Sequence, residues 1–325
     1  MSPTRTLPPP DGRTFLGLPL CTDLDSLQAD FAILGIPAGC PYLGEAFPND
    51  QSRAPAAIRR ESVRLSLGFD RWDFDIERPL AGLRIVDCGD IPLPPPPPPV
   101  PTPTGAISPL RPVSTPTGVY AEQTVRTILS RGAKPIILGG DHSVTIPALR
   151  AFDRHGPLTL VQVDAHLDWR DEVGGVCEGY SNPMRRASEM AHVARIVQIG
   201  LRAQGSARQE ELQAAQAYGA ELITAYTVHE QGMPAILARI LAGGRCYLTI
   251  DADGLDPSVM PAVEGPAAGG LFFHQVRALI HGLARQGELL GMDIVEIAPA
   301  RDLIGISALT GGQLILNFLG AAAGG

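Results

Sequence analysis

The segment Leu158-Thr159-Leu160-Val161-Gln162-Val163-Asp164-Ala165-His166-Leu167-Asp168 decides how this chain is read. Its first half is an apolar, β-branched run of the kind that suits a strand covered by helices on both faces, as in a parallel sheet. Its second half sets Asp164, His166 and Asp168 at alternate positions. While the chain stays extended, such side chains share one face, so two carboxylates and an imidazole converge at the end of a buried strand. Burying unpaired carboxylates is very costly, and a divalent cation supplies the compensation. The competing reading of the motif is a solvated polar loop.

Seven further runs, at 30–35, 83–87, 135–138, 195–200, 220–224, 247–251 and 290–297, bring the candidate strands to eight. Helical patterning lies between them, at 119–131, 207–218, 233–241 and 273–286. Strands alternating with helices favour parallel βαβ connections over hairpins. The expectation is a single α/β domain over residues 1–325, three layers built on a central, mainly parallel eight-stranded sheet. Residues 92–116 break the pattern, since prolines 94–99 are consecutive and proline removes donors and fixes φ. They are read as an extended, polyproline-II-like solvated loop, the other reading being a proline-rich ligand for a partner domain. The glycine- and alanine-rich end, 320–325, is read as a frayed tail.

Composition narrows the function. A chain of 325 residues that is 45% hydrophobic can fill a sizeable core. A net charge of −8 and a pI near 5.4, with no long basic run, argue against nucleic acid and an anionic membrane as partners. The N-terminal stretch lacks the apolar core of a secretory signal, and no run approaches the roughly 18 apolar residues of a membrane span, so a cytoplasmic protein is expected. The five cysteines, Cys21, Cys40, Cys88, Cys177 and Cys246, form no CxxC pair and are read as reduced, mostly buried thiols.

Two more clusters end predicted strands, where open α/β sheets place their ligands. Gly139-Gly140-Asp141-His142-Ser143 follows PIIL, and Asp251-Ala252-Asp253-Gly254-Leu255-Asp256-Pro257 follows YLTI. The carboxylates and two histidines gathered in such motifs are more than one ion can use, and a bridged two-metal site is the expected outcome.

GGDHS, DAHLD and IDADGLDP, in this order and at these separations, resemble the three metal-binding signatures of the ureohydrolase (arginase/agmatinase) family. The similarity runs from about residue 31 to 315, and NDQSRAPAAIRRES resembles the family segment leading into its first helix. The resemblance implies an arginase-like fold and an agmatinase-like enzyme that cuts a guanidino compound into urea and an amine. One ion would be held by His142, Asp164, Asp168 and Asp251, the other by His166, Asp164, Asp251 and Asp253, with Asp164 and Asp251 bridging. The family usually carries manganese, and some guanidine-hydrolysing relatives use nickel; oxygen-rich ligation without thiolate suits such ions. Two ions roughly 3.5–4 Å apart would share a water whose pKa falls from about 15.7 towards neutrality, giving a bridging hydroxide aimed at the guanidinium carbon. Glu296, in MDIVEIAP, stands where the family pairs a glutamate with the guanidinium; by itself it reads equally as a strand-end salt bridge. Asp141 supports the His142 ligand. Homotrimers or hexamers are implied, with a paralogous subunit as a further option.

The chain departs from the family at Glu178-Gly179-Tyr180-Ser181. Relatives that cleave arginine or agmatine commonly place a proton-shuttling histidine where Tyr180 stands, and a phenol near pKa 10 is a poorer donor at neutral pH. His192, His229, His274 and His281 lie in no matched motif and are read as ordinary surface or core residues. The substrate is read as agmatine or another guanidino compound, including small or N-alkylated guanidines and biguanides. Trp169, after DAHLD, is expected to wall the pocket and to favour a substrate with little charge beyond its guanidinium, which argues against arginine. The alternatives are formimidoylglutamate hydrolysis, a catalytically weak subunit of a mixed oligomer, and a one-metal zinc deacetylase, which would leave His142 and Asp253 without a role.

Overall fold

The computed structural model describes residues 4–39, 42, 50–65, 68–93, 116–240 and 244–324. Among these residues lie eight strands: β1 (Phe31–Ile36), β2 (Ile85–Asp90), β3 (Lys134–Gly139), β4 (Leu158–Val163), β5 (Val193–Leu201), β6 (Glu221–Thr224), β7 (Arg245–Asp251) and β8 (Glu288–Val295). They form one sheet in the order β2-β1-β3-β8-β7-β4-β5-β6, and every pairing is parallel. The expected mainly parallel sheet is therefore wholly parallel. Each strand returns to the same end through a crossover, which parallel pairing requires.

The period-two alternation of β1 shows how the layers form. Phe31 and Ile33 enter one core with α1 (Ala54–Ser62), α6 (Ala225–Gln231), α7 (Met233–Ile240), α8 (Phe273–Gln286) and α9 (Ile306–Ala322). Ala32, Leu34 and Ile36 enter the other with α2 (Pro116–Ser130), α3 (Thr145–Arg150), α4 (Pro183–Ser188) and α5 (Gln209–Tyr218). Helices on both faces explain why strands such as LTLV are apolar throughout. No described helix is long and apolar enough to cross a membrane.

Three details differ from the sequence expectations. β2 runs past 87 to Asp90 because Arg59 of α1, fully buried, pairs with Asp87 at 2.8 Å and Asp90 at 2.5 Å, so these acidic residues belong inside. Residues 320–322 of the tail read as frayed form the last turn of α9: Gly320 is buried, and a β-carbon there would come within 2.4 Å of Ile76, so the small residue permits close packing. Of the four described cysteines, all free thiols, Cys88 and Cys246 are buried, whereas Cys21 and Cys177 are half-buried. The consecutive prolines 94–99, most of the proline-rich segment and Cys40 lie outside the described residues.

β3 and β4 follow one another in the chain but are separated in the sheet by β8 and β7, about 14 Å at ordinary strand spacing. A crevice opens at such a switch in winding direction, at the C-terminal ends of the strands. A recess of about 1000 Å³ lies at the opposite end, beside Lys134 and Glu288 at the starts of β3 and β8, and contains none of the clustered ligands.

Candidate metal centre

Asp164 and Asp251 are each fixed by their own turn. One oxygen of Asp164 accepts the His166 N–H at 2.6 Å, and one oxygen of Asp251 accepts the Asp253 N–H at 2.8 Å. These are aspartate turns in which the side chain bonds the backbone two residues on. The remaining oxygens of both face His142. Asp253 repeats the division across two loops, with one oxygen on the Ala165 N–H at 3.1 Å and the other 3.0 Å from His166 Nδ1. The loops approach so closely at Gly254 that a β-carbon would meet the Asp164 nitrogen at 2.7 Å.

All six candidate ligands come together. His142 Nδ1 lies 3.2 Å from Asp164, 3.0 Å from Asp168 and 3.2 Å from Asp251, and His166 Nδ1 lies 3.7 Å from Asp164 in addition to its contact with Asp253. Two overlapping groups capable of holding an ion result, His142–Asp164–Asp251 and Asp164–His166–Asp253, sharing Asp164. Asp168 reaches its place by leaving the strand: its φ is 50°, a strained value for a non-glycine residue, and Glu296 is strained likewise at 66°.

The protonation of His142 follows from its neighbours. Thr249 Oγ1 donates to Asp293 at 2.5 Å, so its single proton is committed, and it can only accept from His142 Nε2 at 3.0 Å. A neutral imidazole with its proton on Nε2 has a bare Nδ1. That atom is buried, makes no hydrogen bond, and is ringed by three carboxylates. Lone pair facing lone pair is repulsive: burial would lower the His142 pKa, yet the three carboxylates hold it well above the usual imidazole value, and a proton or a metal cation among the four atoms relieves the repulsion. The nitrogen and oxygen donors therefore fit a borderline-hard divalent ion.

Beneath the ligands runs a buried polar row that sequence inspection missed. Gln198, Gln162, Thr249 and Asp293 are in register on β5, β4, β7 and β8, and all are fully buried. Gln198 donates to Gln162 at 2.5 Å, and Gln162 donates to Asp164 at 2.5 Å. Asp293 also accepts from Tyr247 at 2.9 Å and Thr145 at 3.0 Å. The signal was present in LTLVQVDAH and YLTIDAD, where one polar residue interrupts an apolar strand two positions before the acidic ligand.

Burial pushes the Asp164 carboxyl up to about 7, with the charges of Asp168 and Asp253 adding to the effect. Burial alone would lower His166, yet the adjacent Asp253 and Asp164 carboxylates outweigh it and push the imidazole up to about 11. Glu296 is also driven well above the usual carboxylate range, first by burial and then by the charge of Asp141. So many mutually raised groups make this the most electrostatically loaded part of the described chain, the pattern expected of a functional site.

Glu296 accepts the His142 N–H at 2.7 Å with one oxygen and the Gln51 amide at 2.9 Å with the other. Asp141 is buried and accepts from the Ser143 N–H and hydroxyl at 3.1 and 2.5 Å, shaping the turn that presents His142. Tyr180, half-buried, packs against Tyr42 with ring centroids 4.5 Å apart. Tyr42 was not foreseen. Its hydroxyl accepts the Ser181 N–H at 2.9 Å and donates to Asn182 at 3.2 Å; burial raises its pKa, and the charges of Asp168 and Asp141 contribute. Trp169 is not the expected pocket wall: it is buried in a core and packs against Tyr218 of α5 at 5.6 Å, because the left-handed turn at Asp168 redirects the next side chain. His192, His229 and His281 bond Leu149 O, Gly269 O and Asn317, outside the cluster.

The model of the arginase family matches residues 29–320. A guanidinobutyrase from Pseudomonas aeruginosa is 32% identical over 307 residues, covering 91% of this chain and 87% of that protein. An agmatinase from Citrobacter koseri is also 32% identical over 317 residues, covering 94% and 91%. Proclavaminate amidino hydrolase from Streptomyces clavuligerus superposes with a TM-score of 0.76 at 26% identity, covering 99% of both chains. A formimidoylglutamase from Bacillus subtilis has a TM-score of 0.76 at 21% identity, covering 98% and 94%, a likeness of fold alone.

Proposed function

This chain belongs to the arginase family and is a hydrolase of guanidino C–N bonds; from that premise we propose a binuclear centre that releases urea and an amine from a small guanidino compound. The bare, buried Nδ1 of His142 among three carboxylates carries this reading. His142, Asp164, Asp168 and Asp251 would hold one divalent ion, and His166, Asp164, Asp251 and Asp253 the other. Such a pair, when bound, acidifies a shared water and supplies the nucleophile.

The chain's own groups do the rest. Glu296 pairs with the guanidinium and orients its carbon towards the ligand cluster, while Gln51 and the His142 N–H hold the Glu296 carboxylate in place. Asp141 keeps the His142 turn in shape, and Tyr180 with Tyr42 lines the approach. The whole chain acting as one domain, manganese or nickel as the ion, a homotrimer or hexamer and a cytoplasmic location belong to the same proposal.

The test is a urea-release screen over guanidino compounds after loading with manganese and separately with nickel, with metal content measured on the same samples. Urea release with close to two ions per chain is the expected result. Formamide from formimidoylglutamate without urea, or full activity with one ion, would overturn the reading.

A further inference from the structure

Charge at the mouth of the site goes beyond what the ligands need. Four ligand carboxylates, from Asp164, Asp168, Asp251 and Asp253, balance two divalent ions. Asp141 and Arg202, the latter buried and donating to carbonyls such as Asp253 O and Ala267 O, are opposite in sign. Glu296 is left over to face a guanidinium. Glu264 is a second surplus carboxylate. The Gln51 amide nitrogen donates to Glu264 at 2.7 Å and to Glu296 at 2.9 Å, so one neutral group bridges both.

Neither glutamate forms an ion pair with a lysine, arginine or histidine among the described residues. Arg301, bonded to the same segment, donates instead to the Val263 carbonyl at 2.6 Å. Glu264 is half-buried, and its neighbour Gly265 borders the centre: a β-carbon there would lie 3.2 Å from the His166 ring and 3.7 Å from Asp253. Two carboxylates that share one amide at the edge of the site demand positive charge from whatever binds.

We propose that Glu264 is a specificity determinant, making the site select guanidino compounds that carry a second cationic group and reject those whose tail is a carboxylate. This rests on the guanidino-hydrolase reading of the same centre. With the guanidinium on Glu296, a second cation satisfies Glu264, whereas an anionic tail meets uncompensated repulsion.

The experiment compares three probes of similar length, agmatine, butylguanidine and 4-guanidinobutanoate, whose tails are cationic, neutral and anionic. kcat/KM is measured for the metal-loaded wild type and for Glu264→Gln. Wild-type preference should fall in that order, and the agmatine to 4-guanidinobutanoate ratio should drop at least about tenfold in the variant, mainly through KM, as expected for a partly screened charge contact. In the wild type, added salt should erode the agmatine preference. A wild type that uses 4-guanidinobutanoate as well as agmatine, or a ratio unmoved in both the variant and the salt series, overturns the assignment of Glu264. Absence of urea from all three probes strikes instead at the hydrolase reading, and the inference falls with it.

Discussion

Replacing Thr249 by valine tests how the buried polar row governs the cation site. The hydroxyl accepts from His142 Nε2 at 3.0 Å and donates to Asp293 at 2.5 Å, so valine removes both contacts at nearly constant volume. Asp293 keeps Tyr247 and Thr145 on its other oxygen. The His142 Nε2–H, fully buried, is left without an acceptor, at a cost of about 1–3 kcal/mol. The imidazole relieves that cost by moving its proton to Nδ1, among the carboxylates of Asp164, Asp168 and Asp251, where a cation would otherwise bind. Cation affinity should fall about 10–100-fold, the usual effect of losing a group that orients a ligand. Titration against a chromophoric chelator measures the affinity, and nitrogen NMR of the labelled histidine reads the tautomer. Thr249→Ser restores the hydroxyl and should restore both readouts. A valine variant that is folded and binds manganese within about twofold of wild type refutes the tautomer reasoning.

Three other outcomes are expected. Glu296→Gln should lower turnover of guanidino substrates at least tenfold, on the order of a lost charge-assisted contact, while metal analysis shows both ions retained; loss of metal would move Glu296 into the coordination sphere. Arg59→Met strands Asp87 and Asp90 without their cation and should cost about 3–5 kcal/mol in urea denaturation. Burial already raises Asp90, and without its cation that carboxyl would titrate further above its unfolded value. The native state of that variant would take up protons first, so its deficit should shrink as pH falls and be full at neutral pH and above; a deficit that grows on acidification contradicts this. Tyr180→Phe keeps the ring against Tyr42 and should retain most activity; a loss beyond about a hundredfold, with metal retained, would make the phenol the proton donor.

Much of the architecture was legible because each strand announces itself by an apolar run, and all eight appear within a few residues of their expected places. Their order was not, since crossovers leave no local signature: nothing in VQIGL or GMDIV says which strand lies beside which. Five of the six candidate ligands could be read because they occur two or four residues apart after strands, and His142 because it follows the glycine turn at the end of β3. Gln51, Glu264 and Tyr42 were invisible for the opposite reason. Gln51 and Tyr42 reach the site from segments far from the ligand motifs, Glu264 from the loop that follows the third motif, and only the closed fold gives them their neighbours. Trp169 was misplaced because alternation was extended past Asp168, where the backbone turns left-handed. The end of α9 was misread because glycine and alanine suit both a loose tail and a tightly packed helix.

The sheet order has a consequence for how the molecule comes off the ribosome. His142 follows β3 and Asp164 follows β4, yet the strands that lie between them, β7 and β8, are synthesised last, ending at Val295. An unfinished chain offers two half-sites with no floor joining them, and carboxylates that do not yet face a common centre. Metal capture is thereby deferred until nearly the whole polypeptide exists, since long-range parallel pairing must close first. Retained metal becomes a certificate of completed synthesis: a chain stopped before β8 would leave the ribosome without one.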